Sequence, residues 1–133
     1  TPSGQTHRVI SEATASTMSD LLAGVVCEGT GVRAQVDGIA VAGKTGTSRK
    51  LQANGTYISD SGLRSYFATF VGFLPAADPQ VTILVSIDEP DPSSRDRFGG
   101  TAAAPAFAKL ATMAIHERSI EPTIGDNGCQ VTK

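Results

Sequence analysis

One short stretch carries the side chains in this chain that are best suited to chemistry, Ala42-Gly43-Lys44-Thr45-Gly46-Thr47. Lys44 supplies a compact positive charge, and Thr45 and Thr47 supply hydroxyl groups. Gly43 and Gly46 pack no side chain, so their presence in an extended segment indicates that something approaches the backbone closely. Together with the N–H groups of a strand edge, these residues predict an anion-binding ledge with room for a substrate.

The same residues also fit a nucleotide-binding motif. Gly38 to Thr45 matches the P-loop pattern G-x-x-x-x-G-K-[ST], and residues 81–89 imitate the apolar strand with a final acidic residue that holds Mg²⁺. A P-loop requires a helix that begins at its Lys-Thr pair and directs its N-terminus toward the phosphates. Residues 46–55 show no apolar face at helical spacing. The sequence therefore disfavours nucleotide binding, and a purely structural Gly-Lys-Thr-Gly turn is a further alternative.

The composition limits the possible functions further. A chain of 133 residues with 40% hydrophobic residues is one domain or part of one, and a net charge of −2 argues against a nucleic-acid partner. No apolar run is long enough to span a bilayer, and the start without Met or signal peptide indicates a piece of a longer protein.

Cys27 and Cys129 lack metal-ligand spacing, and we expect no metal or cofactor. They are interpreted as a buried thiol and an incidental thiol in a tail, although an oxidising compartment would allow a disulfide.

The hydrophobic pattern predicts two helices. The first begins at Ser11 as N-cap and ends at the Glu-Gly-Thr-Gly segment 28–31, where glycine is free to take the left-handed conformation. Its apolar stripe is expected to be core and consists of Met18, Leu21, Leu22, Val25 and Val26. The second helix begins near Thr101 and tolerates Pro105 only in its first turn. Its apolar face consists of Phe107, Leu110, Ala111, Ala114 and Ile115.

Three strands are predicted between these helices, at residues 39–47, 65–74 and 81–87. The polar residues 48–64 form a long loop or loose hairpin, whereas the short turn at 75–79 makes the last two strands antiparallel neighbours. The predicted fold is therefore α+β, an antiparallel three-stranded meander with helices packed on it. The third strand carries apolar residues on both faces without a Lys, Pro or bulge, so we expect a further neighbour at its edge. Residues 123–133 are predicted to be a flexible tail.

The order of these features resembles the C-terminal part of a class B penicillin-binding protein. The resemblance runs from about Arg8 to about Pro122 and rests on four segments: Lys-Thr-Gly-Thr at 44–47, Phe-Ala-Thr-Phe-Val-Gly-Phe at 67–73, Asp-Glu-Pro at 88–90 and the Gly-Gly-Thr-Ala-rich segment 99–107. It implies that residues 1–133 are the C-terminal portion of an acyl-serine D,D-transpeptidase domain with a β-lactamase/transpeptidase-like fold. Such a domain cross-links peptidoglycan stem peptides in cell-wall synthesis, on the extracytoplasmic face of the bacterial cell membrane, and is acylated by β-lactam antibiotics.

The resemblance also implies a role for each residue of the motif. Lys44 would set the positive field, Thr45 and Thr47 would hold the substrate's terminal carboxylate, and Gly46 would leave room for the ligand's backbone. The N–H of Thr47 would be one of two oxyanion donors, which makes Lys44 and Thr47 the catalytic residues of this chain. The chain contains no Ser-x-x-Lys and no Ser-x-Asn, so its expected partner is the remainder of the domain, which supplies the nucleophile. A non-catalytic β-lactam sensor of the same family is the alternative function.

Overall fold

The structure, a computed structural model, describes residues 7–122 and Cys129. It contains two helices and three strands: α1 (Glu12–Cys27), β1 (Ala42–Arg49), β2 (Tyr66–Leu74), β3 (Val81–Asp88) and α2 (Ala104–Arg118). A short 3₁₀ turn, Val32–Ala34, follows α1, and a π-helical turn, Gly99–Ala103, leads into α2. This arrangement confirms the predicted α+β class.

The three strands form one antiparallel sheet in the order β1-β2-β3. Its register pairs Lys44 with Val71, and Val71 with Leu84, so β2 is the middle strand as predicted. The first strand begins three residues later than predicted and extends to Arg49. Its start is displaced because Asp37 and Gly38 form a tight turn, with Gly38 at φ 75°, that closes a bridge between Val36 and Ile39.

The hydrogen-bond phase of the sheet determines which backbone groups of β1 face outward. Lys50 N donates to Ser65 O at 2.9 Å, which continues the β1–β2 ladder by one pair. Since only alternate pairs of an antiparallel ladder exchange hydrogen bonds, the even-numbered residues of β1 direct their N–H and C=O groups to β2. Thr45 and Thr47 therefore direct theirs to the outer edge, where no described strand pairs with β1.

The outer edge of β3 follows from the same reasoning. Glu89 N donates to Tyr66 O at 3.0 Å, so the outward backbone groups of β3 belong to residues 82, 84, 86 and 88. The side chains at these positions are exposed, and those at 81, 83, 85 and 87 are half-buried. Leu84, 66% exposed, is the single apolar residue on the exposed face. β3 thus carries apolar residues on both faces as predicted, with Leu84 as the one on the exposed face.

The core lies between one face of the sheet, α2 and the C-terminal end of α1. Phe70 of β2 meets Phe107 of α2 edge to face, with ring centroids 4.8 Å apart, and both side chains are fully buried. Val26, Ile39 and Leu74 complete the set of largest fully buried side chains. Truncation of either phenylalanine to alanine would cost about 3–5 kcal/mol of stability.

The helical apolar stripes are less buried than predicted. Ser11 caps α1 as expected, since its side chain accepts a hydrogen bond from Thr14 N at 3.1 Å. Met18 and Leu21 are 46% and 61% exposed, however, because only the last turns of α1 pack on described residues. On α2, Phe107 and Ala111 of the predicted apolar face are buried, whereas Leu110 is 44% exposed.

The glycines after α1 are needed for space rather than for a left-handed conformation. Neither Gly29 nor Gly31 has a positive φ, so the predicted left-handed termination is wrong. A Cβ at Gly29 would lie 2.8 Å from Val25 O, and one at Gly31 would lie 3.2 Å from the Phe70 ring. The chain can therefore turn tightly against the end of α1 and the core only without side chains at these positions.

Cys27 and Cys129 form a disulfide, with Cα atoms 5.4 Å apart and a sequence separation of 102. Their interpretation as unpaired thiols is wrong, and the alternative of a disulfide holds. The predicted flexible tail lies, apart from Cys129, outside the described residues. Among the described residues, no helix is long and apolar enough to cross a membrane.

Candidate functional site

A surface pocket of about 350 Å³ lies beside β1. We call it the threonine pocket, and it is lined by Gly29, Thr30, Val32, Arg33, Thr45, Thr47, Phe98, Gly100 and Thr101. These residues come from the segment after α1, from β1 and from the start of the π-helical turn. Three segments that are far apart in sequence therefore meet at the predicted anion-binding strand.

Hydroxyl groups line the β1 side of the threonine pocket. Thr45 Oγ1 lies 2.9 Å from Thr30 Oγ1 and accepts a hydrogen bond from Lys44 Nζ at 3.3 Å. Thr47 Oγ1 accepts a hydrogen bond from the Gly99 N–H at 3.0 Å. No described group accepts a hydrogen bond from the Thr47 O–H, so this hydroxyl is available to donate to an anion.

Lys44 reaches the same edge from the other side of the strand. Successive side chains of a strand alternate between faces, so Lys44 leaves β1 on the face opposite to Thr45 and Thr47. Its ammonium nevertheless returns to the outer edge, where Nζ donates to Thr45 O at 3.2 Å. None of the ion pairs formed by described residues includes Lys44, so its charge is not neutralised by a carboxylate there.

The other lysine at this end of the sheet, Lys50, has a structural role. Its Nζ lies 2.8 Å from Asp88 Oδ2 and 3.5 Å from Glu89 Oε1. The hydrogen bond with Asp88, and then the charges of both carboxylates, raise the pKa of Lys50. Of these two lysines, only Lys44 offers an uncompensated positive charge to a ligand.

Gly99 allows the π-helical turn to approach the sheet, and Gly46 leaves space for a side chain of β2. A Cβ at Gly46 would clash with Thr69 Oγ1, and a Cβ at Gly99 would meet Thr69 O and lie 2.5 Å from Gly46 O. Gly99 therefore packs directly on the backbone of β1 and β2. The approach of the turn accounts for Gly99 and the Thr69 side chain accounts for Gly46, while a role of Gly46 in leaving room for a ligand stays a prediction.

Several pocket residues were not identified from the sequence. Arg33 Nη1 donates to Asp96 Oδ1 at 3.0 Å and to Thr101 O at 3.4 Å, which ties the segment after α1 to the chain before α2. Nothing in the sequence indicates this contact. Thr30 stands between two glycines, a pattern that can indicate a close approach of the backbone. The sequence pattern predicts only the end of a helix at this segment.

The P-loop alternative is wrong. Lys44 and Thr45 lie inside β1, which continues to Arg49, and among the described residues no helix begins between Thr45 and Gly99. Residues 81–88 pair antiparallel with β2, so the described part of the chain shows no parallel strand pair of the kind found in a nucleotide-binding fold. No helix N-terminus is available at the lysine to bind phosphates.

Comparison with known proteins assigns a family to this arrangement. Residues 1–112 match the family model described as the penicillin binding protein transpeptidase domain. A probable peptidoglycan D,D-transpeptidase PenA of Neisseria flavescens is 38% identical over 117 residues, which cover 87% of this chain and 28% of that protein. Stage V sporulation protein D of Bacillus subtilis (strain 168) is 37% identical over 115 residues, covering 86% of this chain and 17% of that protein. The chain thus spans less than a third of the length of either relative.

Solved structures show the same relationship in three dimensions. The apo structure of the TP domain of penicillin-binding protein 3 from Burkholderia pseudomallei has a TM-score of 0.73 and 33% identity, covering 89% of this chain and 34% of that chain. Penicillin-binding protein 3 from Mycobacterium tuberculosis, complexed with ampicillin, has a TM-score of 0.71 and 32% identity, covering 87% of this chain and 26% of that chain. The resemblance noted from the sequence is thereby confirmed. The chain belongs to the penicillin-binding protein transpeptidase domain family.

Proposed function

We propose that this chain is the C-terminal part of a peptidoglycan D,D-transpeptidase domain, in which β1 binds the substrate's terminal carboxylate and supplies an oxyanion donor. The observation that carries the proposal is the convergence of the Lys44 ammonium and the Thr45 and Thr47 hydroxyls at the outer edge of one strand. The names of the relatives and the ampicillin complex of a structural neighbour support the same activity and ligand class.

Carboxylate binding follows from the donors that the pocket presents. An ionised carboxylate only accepts hydrogen bonds, so it needs several donors and a positive charge close by. The Thr47 hydroxyl has its proton available, and the Lys44 ammonium lies within 3.3 Å of Thr45 Oγ1. Each hydrogen bond from such a donor to a charged group contributes about 1.5–3 kcal/mol. We therefore assign the terminal carboxylate of a stem peptide, or that of a β-lactam, to Thr45 and Thr47.

The Thr47 N–H is suited to stabilising an oxyanion. The phase of the β1–β2 ladder directs this group to the outer edge, beside the threonine pocket. Because the ladder fixes its direction before any ligand binds, little reorganisation is needed when negative charge develops on a carbonyl oxygen. One such donor is worth about 3 kcal/mol in other acyl-transfer sites. Lys44 would add a positive potential at the same edge.

The serine nucleophile and its base would come from the remainder of the domain. In the proposed mechanism, the serine attacks the carbonyl of the last peptide bond of the stem peptide, that C–N bond breaks, and the C-terminal residue leaves with a protonated amine. The amine of a second peptide then attacks the acyl-enzyme, forms the new amide bond and releases the serine hydroxyl. The outer edge of β3 and the exposed apolar residues Phe67, Val71 and Leu84, which share one face of the sheet, would pack against that remainder. The parent protein would act on the extracytoplasmic face of the bacterial cell membrane.

A labelled penicillin tests this proposal on the full-length parent protein. We expect one covalent adduct per molecule by intact-mass measurement, and none on the isolated 133-residue chain. Addition of the complementary fragment should restore the adduct, because the serine and the carboxylate site then share one domain. An isolated chain that takes up penicillin covalently would refute the division of roles. A parent that forms the adduct but never cross-links a peptide substrate would instead be the non-catalytic sensor.

A further inference from the structure

A second surface pocket, of about 250 Å³, lies at the C-terminal end of β1. It lies between the β1–β2 loop, which supplies Leu63 and Arg64, and the chain before α2, which supplies Pro92 and Arg97. Tyr66 at the start of β2 lines it as well. We call it the arginine pocket because Arg64 and Arg97 both line it.

The guanidinium group of Arg97 is held in place by aromatic rings. Its central carbon lies 5.8 Å from the centroid of Tyr66 and 5.2 Å from that of Phe98. The two rings themselves meet edge to face at 5.3 Å. A guanidinium fixed in this way loses little side-chain entropy when it binds a ligand.

Most donors in the arginine pocket have no described acceptor. A guanidinium group carries five N–H donors, and the one described hydrogen bond of Arg97 runs from Nη1 to the Pro92 carbonyl. Its Nε is buried without an acceptor among the described residues. No described ion pair includes Arg64 or Arg97.

The neighbouring acidic side chains are engaged elsewhere. Asp96 pairs with Arg33, Asp91 accepts from Ser93, and Asp60 accepts from Asn54. The hydrogen bonds from Ser93 lower the pKa of Asp91, so its negative charge is stabilised within its own loop. The arginine pocket therefore gathers positive charge and unused donors, which an anion would satisfy.

The two pockets are neighbours, because Phe98 and Arg97 are in contact. Phe98 lines the threonine pocket, and its ring contacts Arg97 of the arginine pocket. Tyr66 pairs with Arg49, the last residue of β1, whereas Thr45 lies four residues earlier. At about 3.3 Å per residue this separation is about 13 Å, the length of a few extended peptide residues. A peptide that lies along β1 can thus reach both pockets.

We propose that Arg64 and Arg97 form a second anion subsite, which takes an acidic group of the same peptide ligand whose terminal carboxylate occupies the threonine pocket. The subsite rests on the proposed function, since it needs a ligand that lies along β1. Planar guanidinium groups bind carboxylates with paired hydrogen bonds, so a side-chain carboxylate is the expected occupant. The peptidoglycan stem peptide would then be selected by two carboxylates rather than one.

Two penicillins that differ by a single carboxylate test the subsite. Carbenicillin is benzylpenicillin with a carboxylate on the side-chain carbon next to the amide. In the full-length parent protein, the ratio of the acylation rates of carbenicillin and benzylpenicillin measures recognition of that added charge. We expect Arg64→Gln and Arg97→Gln each to lower this ratio by about tenfold, the effect of one lost hydrogen bond to a charged group. Arg95→Gln is the matched control, since Arg95 is an exposed arginine of the same loop that does not line the pocket.

The outcomes separate this inference from the function on which it rests. A ratio that stays within twofold of the wild-type value in both variants, or falls equally in Arg95→Gln, would overturn the subsite. Arg64 lies in an exposed loop, so its variant answers the question even if Arg97→Gln disturbs the stacked rings. If neither penicillin acylates the wild-type parent, the proposed function itself fails. The subsite is supported by a larger decrease in the acylation rate of carbenicillin than in that of benzylpenicillin.

Discussion

The two edges of the sheet present their backbone in different surroundings. At β1 the outward N–H and C=O groups belong to Thr45 and Thr47, among hydroxyls and beside the ammonium of Lys44. At β3 the outward groups of residues 82–88 stand beside the exposed side chain of Leu84. Both edges can form backbone hydrogen bonds, but only the β1 edge adds donors for an anion. We propose that the chemistry beside each edge, rather than the edge itself, makes β1 a ligand site and β3 a strand-pairing site.

The surroundings of each edge also limit the size of its neighbour. The segment after α1 and the π-helical turn line the threonine pocket, and Lys44 Nζ already bonds to the outward carbonyl of Thr45. A long strand therefore finds few available groups at β1, whereas a short peptide end fits. Over Val81–Ile87, β3 carries no lysine or proline that would discourage pairing. We infer that the β1 edge takes a ligand and the β3 edge takes a strand of the remaining domain.

The largest expected effect comes from Gly99→Ala, which tests whether the β1 edge depends on the close approach of the π-helical turn. The added Cβ would lie 2.5 Å from Gly46 O and would also collide with Thr69 O, both backbone atoms that cannot move aside. The turn must then leave β1 and withdraw its N–H from Thr47 Oγ1. We expect penicillin acylation of the full-length parent to slow by at least about 100-fold, about 2.7 kcal/mol.

Gly24→Ala provides the control for that substitution. A Cβ at Gly24 of α1 has no neighbour within 4 Å among the described residues, and alanine favours a helix. Its acylation rate should equal that of the wild type. A Gly99→Ala parent that acylates within threefold of wild type would show that the turn does not shape the site.

A smaller loss is expected for Thr47→Val, which tests the hydroxyl contribution to the β1 edge. Valine has nearly the shape of threonine but leaves the Gly99 N–H without its acceptor and removes a donor to the carboxylate. Acylation should slow by about 30-fold, about 2 kcal/mol. Thr47→Ser keeps the hydroxyl and should recover most of the rate. Equal losses in the valine and serine variants would point to the methyl group and contradict the assignment.

The next largest decrease in the acylation rate is expected when the charge of Lys44 is removed. Replacing Lys44 with alanine in the full-length parent should slow acylation by at least about tenfold, or about 1.4 kcal/mol, because the positive field at the edge is lost. Lys109→Ala is the matched control, since Lys109 is an exposed lysine on α2. Unchanged acylation kinetics in Lys44→Ala, or the same decrease in both variants, would contradict a role for the charge.

The sequence predicted the parts of this comparison that depend on local pattern. Alternation and turn residues predicted the meander, and the Lys-Thr-Gly-Thr segment predicted a strand with Lys44, Thr45 and Thr47 at one edge, whose binding of a ligand stays a prediction. Sequence could not show that Met18 and Leu21 are exposed, because an apolar stripe does not reveal how much of a helix finds a partner. The pairing of Cys27 with Cys129 and the contact of Arg33 with Asp96 depend on tertiary approach, which has no local signature.

The smallest expected effect concerns the β3 edge, where the isolated 133-residue chain should associate with itself. In the absence of the remaining domain, the outward groups of residues 82–88 can pair with the same groups of a second copy. Leu84→Lys should weaken this association about fivefold, or about 1 kcal/mol, since a charged side chain on an edge strand opposes pairing and less apolar surface is buried. Sedimentation equilibrium over a range of concentrations measures the dissociation constant.

Leu110→Lys shows whether position or charge causes the change. Leu110 is also an exposed leucine, 44% exposed, but it lies on the helix α2 and not on a strand at the edge of the sheet. The added charge is the same in both variants, so general repulsion between copies would lower association equally. Weaker association in Leu84→Lys alone places the contact at β3. A wild-type chain that stays monomeric at every concentration would show that this edge needs no neighbour, and the contrast between the two edges would then rest on β1 alone.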